Sequence, residues 1–109
     1  CDTFGPTGPW LVTKDEIEDV QNLAMWCDVN GERKQTGNTN TMIFSVAQCV
    51  SHLSQLMTLH PGDVISTGTP PGVALGQGFD HDGFLKVGDR MDVWIEGLGQ
   101  QTQMVGEDA

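Results

Sequence analysis

One stretch of this chain has the residue types to do chemistry: Pro61-Gly62-Asp63-Val64-Ile65-Ser66-Thr67-Gly68-Thr69-Pro70-Pro71-Gly72-Val73. Val64-Ile65 is a short apolar run opening into a turn dense in glycine, proline and hydroxyls. Small residues there let a ligand approach the backbone closely. The hydroxyls and amides of Ser66 to Thr69 suit a carboxylate or phosphate-like oxygen. An ordinary hydroxyl-rich turn has the same composition, so pattern alone leaves both readings open. The loop is not a P-loop, because no Gly-Lys-Ser/Thr follows it, and no Gly-x-Gly-x-x-Gly occurs in the chain.

Other candidates are weaker. Asp80-His81-Asp82-Gly83 has the look of a metal loop, but Phe84-Leu85-Lys86 break the ligand spacing of an EF-hand, which favours a solvated loop. His52 and His60 have no Glu or second His at ligand spacing and read as surface or interface residues. Ser45, Ser51, Ser54 and Ser66 lack the Gly-x-Ser-x-Gly context of a nucleophile elbow. Cys1, Cys27 and Cys49 form no zinc pattern and read as reduced intracellular thiols. Phe4-Gly5-Pro6-Thr7-Gly8-Pro9-Trp10 is either a rigid connector or one wall of a site.

The elements that must position these residues are mostly strands. Trp10-Leu11-Val12 reads as a short strand. Thr13 and Glu16 predict a capping box for a helical turn over Lys14 to Glu18. Asn22 to Val29 reads as a strand, Asn30-Gly31 as a hairpin turn, and Glu32 to Gly37 as a polar return strand at an edge or facing a site. Ile43, Val46, Ala47, Val50, Leu53, Leu56 and Met57 recur at helical spacing, predicting an amphipathic helix from about Ser45 to Met57. Asp63 to Ser66 is expected to be the strand that delivers the Gly/Pro loop. Gln77 to Gly83 looks like an exposed excursion. Arg90 to Glu96 alternates as a half-buried strand, and Gln101 to Val105 returns from a turn at Gly97 and Gly99. The predicted class is mainly β with one prominent α-helix (α+β).

The chain has 109 residues, enough for one modest domain. Gly 14 and Pro 5 together exceed the average share of roughly 12%, which argues for turns and short strands over a helical bundle. Lys+Arg 5 against Asp+Glu 15 gives a net charge of −10. That balance repels nucleic-acid phosphates and anionic membrane surfaces, so neither is an expected partner. No apolar run approaches the roughly 20 residues needed to span a bilayer. The opening at Cys1, without an initiator Met, is expected of a piece of a longer polypeptide.

The chain resembles the C-terminal half of the catalytic domain of the fumarylacetoacetate hydrolase superfamily. The ordered features are Asp2-Thr3-Phe4-Gly5-Pro6, Gly8-Pro9-Trp10, Val29-Asn30-Gly31-Glu32, Gln35, Asn38-Thr39, Met42-Ile43-Phe44, Leu59, Pro61 to Ile65, Thr67 to Val73, Phe84-Leu85-Lys86, Gly88-Asp89 and Ile95 to Gly99. The look is nearest to bacterial diketo-acid hydrolases, ureidoglycolate lyase-like proteins and isomerase-decarboxylase members. The resemblance implies a mixed, rolled, barrel-like β-structure, of which residues 1–109 would be a partial domain. It also implies a cytoplasmic homodimer that uses Mg²⁺ or Mn²⁺ on a C–C bond of a 2-oxo or 2,4-dioxo acid, by hydrolysis, decarboxylation or isomerisation.

In the family a Glu-x-Glu pair, an Asp and an essential Lys do most of the chemistry. The resemblance puts all of them in a missing N-terminal half of the same polypeptide, leaving this chain to position the substrate and the isolated fragment inactive. Residue by residue, Thr69 matches the Thr that contacts the substrate carboxylate, Gly68 supplies close backbone approach, and Thr3 matches a Thr near the metal. No catalytic residue is carried over beyond these. The competing reading is a non-catalytic β-rich structural or dimerisation module, with the predicted helix packing on a partner. A small anion-binding module is a third, against which the net charge argues.

Overall fold

The computed structural model describes residues 3–78 and 82–107. It contains strands β1 (Ala24–Val29) and β2 (Glu32–Asn38), helix α1 (Val46–Leu56), and strands β3 (Arg90–Ile95) and β4 (Gly99–Met104). Short 3-10 turns stand at Lys14–Glu16, Thr39–Thr41 and Ala74–Gln77. The strands form one open antiparallel sheet in the order β2-β1-β3-β4, so the class is mainly β with one helix, as predicted. The three pairings seen here are all antiparallel. A mixed, rolled sheet would need strands beyond these four.

The β1–β2 hairpin forms where Asn-Gly predicts it. Asn30 and Gly31 take φ of 52° and 79°, the left-handed pair that a two-residue hairpin turn requires. The polar strand β2 is an edge strand, as its composition suggests. Its register contains one irregularity. Cys27 stands opposite Gln35 but Asp28 stands opposite Arg33, so Lys34 is an extra residue, a β-bulge.

This bulge changes what the strand can do. In a regular strand Arg33 and Gln35 would share a face, because side chains alternate with period two. Here Arg33 lies on the face of Trp26 and Asp28, and Gln35 on the face of Met25 and Cys27. Arg33 caps the first face, with its guanidinium 4.4 Å from the Trp26 ring centroid and ion-paired to Asp28. Trp26 stacks on Trp94 across the β1–β3 pair, with centroids 6.1 Å apart. On the same face Thr102 and Arg90 donate to Asp92 and hold its carboxyl below the usual carboxylate range. The opposite face is more apolar and presents Met25, Cys27, Val29, Met91, Val93 and Ile95.

The hairpin tip is tied to β3 by polar contacts. Asn30 Nδ2 donates to Asp89 Oδ1 at 2.8 Å, Asn30 Oδ1 accepts from the Arg90 amide at 2.9 Å, and the Lys86 amide donates to Asp89 Oδ2 at 2.7 Å. The Asn30 amide, then the Lys86 backbone, lower the Asp89 pKa. A depressed folded-state pKa contributes stability above the ordinary carboxylate value near 4, lost as pH falls through the folded value. Asp89→Asn is therefore expected to lower stability at pH 7 and to narrow the difference between pH 7 and pH 3. Urea unfolding at both pH values measures this, and an unchanged difference would remove Asp89 from the acid response.

Helix α1 starts where expected. Ser45 Oγ accepts from the Gln48 amide at 3.2 Å and Gln48 Oε1 accepts from the Ser45 amide at 2.8 Å, a complete capping box. Gln21 tethers the helix start, accepting from the Val46 amide at 2.9 Å and donating to the Thr39 carbonyl at 2.8 Å.

Other expectations require correction. Thr13 makes no cap bond with its side chain, and the turn ends at Glu16 because Ile17 is extended. The Asp15 pKa is lowered, chiefly by the nearby Thr13 side chain. Trp10-Leu11-Val12 and Asp63 to Ser66 are not strands. The first segment docks by side-chain contact beside the β3–β4 turn, where Trp10 and Pro9 cover Gly99. The loop that follows Ser66 is held through the β2 side chain Gln35, so neither segment joins a backbone ladder. Of the expected excursion and metal-like loop, Phe79, Asp80 and His81 lie outside the described residues, as do Cys1, Asp2, Asp108 and Ala109.

The strands pair closely, yet no described residue is buried. Leu11 and Ile43 are each 91% exposed and Val64 is 80% exposed. The accessible surface is 8622 Å². A self-contained protein of 11.8 kDa exposes about 5,900 Å². The radius of gyration, 15.6 Å, likewise exceeds the roughly 13 Å of a compact domain this long.

Candidate functional site

The loop Ser66 to Val73 is seated on the apolar face of the sheet at the β2 edge. Two close approaches seat it, and both need glycine. Gly37 on β2 stands opposite Met25, and a Cβ there would meet Pro70 Cβ at 2.7 Å. Gly72 in the loop has φ of 112°, and a Cβ on it would overlap the Lys34 carbonyl oxygen at the bulge. The bulge and the two glycines together let the loop backbone lie against the strand.

Between these approaches one side chain locks the loop. Gln35 Nε2 donates to Thr69 Oγ1 at 2.8 Å and to the Pro70 carbonyl at 2.7 Å. Gln35 is half-buried, whereas Gly68 and Thr69 are exposed. Gly68 has φ of 92° with nothing within 4 Å of where a Cβ would stand. A hydroxyl at a fixed position beside open backbone is an arrangement that can hold a carboxylate oxygen.

Thr3 is exposed and lies on the N-terminal segment. That segment is anchored elsewhere: Gln101 on β4 donates to the Gly8 carbonyl, and Trp10 packs over Gly99. Strand β4 is the far edge of the sheet from β2, about 14 Å away across three strand spacings. Among the described residues no hydrogen bond joins Thr3 to Gly68 or Thr69. On the β3–β4 side of the sheet, Pro6, Trp10, Leu11, Val93, Ile95 and Leu98 line an apolar groove.

Gly72 lies in the loop that the sequence singles out, and Gln35 and Gly37 lie in the strand expected at an edge or facing a site, but the anchoring roles of these three residues were not predicted. The signal in the sequence is thin, because a Gln and a Gly two apart on a polar strand look like ordinary edge residues. Their role depends on the bulge and on a loop more than thirty positions later. Cys27 shares the face of Gln35, and burial, then the nearby Asp28 carboxylate, push its thiol pKa up. It therefore stays protonated at neutral pH and is not an activated nucleophile.

No group of three or more His, Cys, Asp or Glu among the described residues could hold a metal ion. The described residues alone do not fit a divalent cation of the hard, carboxylate-bound kind. No helix among them is long and apolar enough to cross a membrane.

The sequence profile described as Fumarylacetoacetate (FAA) hydrolase C-terminal matches residues 1–106. A Burkholderia cenocepacia protein bearing a provisional hydrolase name is 58% identical over 102 residues, covering 94% of this chain and 36% of that protein. The crystal structure of the fumarylacetoacetate hydrolase of psychrophilic Exiguobacterium antarcticum superposes with a TM-score of 0.85 at 41% identity, over 94% of this chain and 36% of its own. Maleylpyruvate hydrolase of Sphingobium sp. SYK-6, solved with manganese(II) and pyruvate, gives 0.82 at 33% identity, over 94% and 35%. The chain thus spans about a third of the length of these relatives. With a profile match over nearly its whole length and the same strand and loop framework, the chain belongs to the fumarylacetoacetate hydrolase family.

Proposed function

We propose that this chain is the C-terminal portion of a catalytic domain that hydrolyses or otherwise cleaves a C–C bond of a 2-oxo or 2,4-dioxo acid, and that it positions the substrate carboxylate. The observation that carries the reading is the Gly68-Thr69 loop, fixed on β2 with its hydroxyl exposed. The relative that holds manganese(II) and pyruvate supports both the ligand class and a divalent metal. Pyruvate is a 2-oxo acid, the ligand class proposed here. Carboxylate ligands for the metal would come from outside the described residues, with Thr3 near them. This chain's own contribution is orientation. The Thr69 hydroxyl donates to one carboxylate oxygen, and Gly68 leaves the backbone open to the other.

The excess exposed area, about 2,700 Å² over a self-contained protein, is the size of an obligate interface. It supports a complement that covers this surface, either the rest of a longer polypeptide or a second copy in a homodimer. It equally favours the second reading, a structural or dimerisation module without catalysis of its own. One experiment separates them. The complete protein, with Mg²⁺ or Mn²⁺, is assayed for pyruvate release from maleylpyruvate, fumarylpyruvate and related acylpyruvates, and for decarboxylation of oxaloacetate. Metal-dependent turnover of any of these is expected. A folded, metal-loaded protein inert toward all of them would favour the structural reading.

A further inference from the structure

A threonine hydroxyl has one hydrogen and two lone pairs, and which of them faces a ligand decides what it can bind. In this loop the choice is made by Gln35. The Pro70 carbonyl can only accept, so it fixes which end of the Gln35 amide points at the loop: the Nε2 end, at 2.7 Å. The other hydrogen of that amide goes to Thr69 Oγ1 at 2.8 Å. Thr69 is therefore an acceptor toward Gln35, and its own hydrogen is left for a different partner.

We infer that Gln35 is a positioning residue that makes Thr69 a hydrogen-bond donor toward the substrate carboxylate. The inference rests on the reading of Thr69 given above. It deepens that reading by giving the site a preference for anionic oxygen acceptors that comes from a residue not in contact with substrate. The bulge at Lys34 is what brings Gln35 to this face, and Gly37 and Gly72 hold the loop near enough for both amide hydrogens to be used.

Gln35→Glu tests it most directly. A glutamate of the same length can only accept, so it repels the Pro70 carbonyl and draws the Thr69 hydrogen to itself. Gln35→Met keeps the length and leaves the hydroxyl undirected. In the complete enzyme, inhibition by pyruvate is compared with inhibition by its neutral ester, methyl pyruvate. Gln35→Glu is expected to weaken pyruvate binding by about tenfold, Gln35→Met by less, and neither to change methyl pyruvate binding appreciably. The part of each effect that runs through Thr69 is expected to vanish when Thr69 is already valine, because Gln35 then has no hydroxyl to direct, leaving only the cost of the lost Pro70 contact, which falls on both inhibitors alike.

A Gln35→Glu or Gln35→Met effect on pyruvate that persists undiminished in the Thr69→Val background, or that weakens both inhibitors equally when Thr69 is present, would overturn the inference in favour of simple loop anchoring. Should Gln35→Glu not fold, the Gln35→Met cycle decides alone. If Thr69→Val itself leaves pyruvate binding unchanged, it is the underlying reading of Thr69 that fails. A Thr69 effect with no Gln35 effect defeats only the present inference.

Discussion

Replacing Thr69 by valine is expected to lower kcat/KM of the complete enzyme by about ten- to hundredfold, the scale of roughly 1.5–3 kcal/mol for a lost hydrogen bond to a charged group. The substitution keeps volume and branching, so the loop retains its shape. What disappears is the hydroxyl that accepts from Gln35 and faces solvent on its other side. The Gln35 amide keeps its bond to the Pro70 carbonyl, so the loop is not released. The loss should appear mainly as a raised KM for the 2-oxo acid, with kcat falling to the extent that the carboxylate contact also aligns the scissile bond. Steady-state kinetics on the purified variant measure both. Unchanged kinetics would remove Thr69 from the substrate site.

The larger effect is expected at Gly72. Alanine there meets two independent obstacles. Its φ of 112° is a conformation that L residues rarely adopt, costing on the order of 1–3 kcal/mol. Its Cβ would also overlap the Lys34 carbonyl oxygen and stand 3.1 Å from Gln35 Cγ. Backbone at a bulge cannot move aside as a flexible side chain can, so the loop must lift from β2. Lifting separates Gln35 from Thr69 and Pro70 together. Gly72→Ala is therefore expected to reduce kcat/KM by more than Thr69→Val does, while the sheet persists, because none of its ladder bonds involves Gly72. Far-ultraviolet circular dichroism alongside kinetics separates the two effects. A variant as active as the parent would show that docking of this loop is not needed.

Much of the scaffold was legible because its signals are local. Asn30-Gly31 specifies a turn by its own backbone preference, and Ser45 with Gln48 closes a helix start within four residues. The alternation Met91, Val93, Ile95 identifies β3 because one face of that strand is apolar. The failures are where a segment's conformation is decided by distant partners. Val64-Ile65 has strand-forming residues but, among the described residues, no strand beside it to pair with, and Val64 is 80% exposed. Trp10 is drawn to the open surface of Gly99, and the run Trp10 to Val12 follows that contact rather than a ladder. Of the candidate site, Gly68 and Thr69 could be named from the hydroxyl-rich loop and the family resemblance. Gln35 could not be assigned its role, because a one-residue irregularity in register leaves no trace in composition.

That irregularity at Lys34 means the site is encoded by chain length as much as by residue type. Along β2, every side chain beyond the hairpin takes its up or down sense from a count, and Lys34 shifts the count by one. A relative lacking one residue here would keep a recognisable Gln and Thr, yet would turn that Gln toward the tryptophan face and away from the loop. Comparisons across the family should therefore treat a single-residue gap between the hairpin and Gln35 as a change of parity. It outweighs a conservative substitution at any position it leaves aligned, and under the proposed role of Gln35 a protein that differs in it would need another group to orient the threonine hydroxyl.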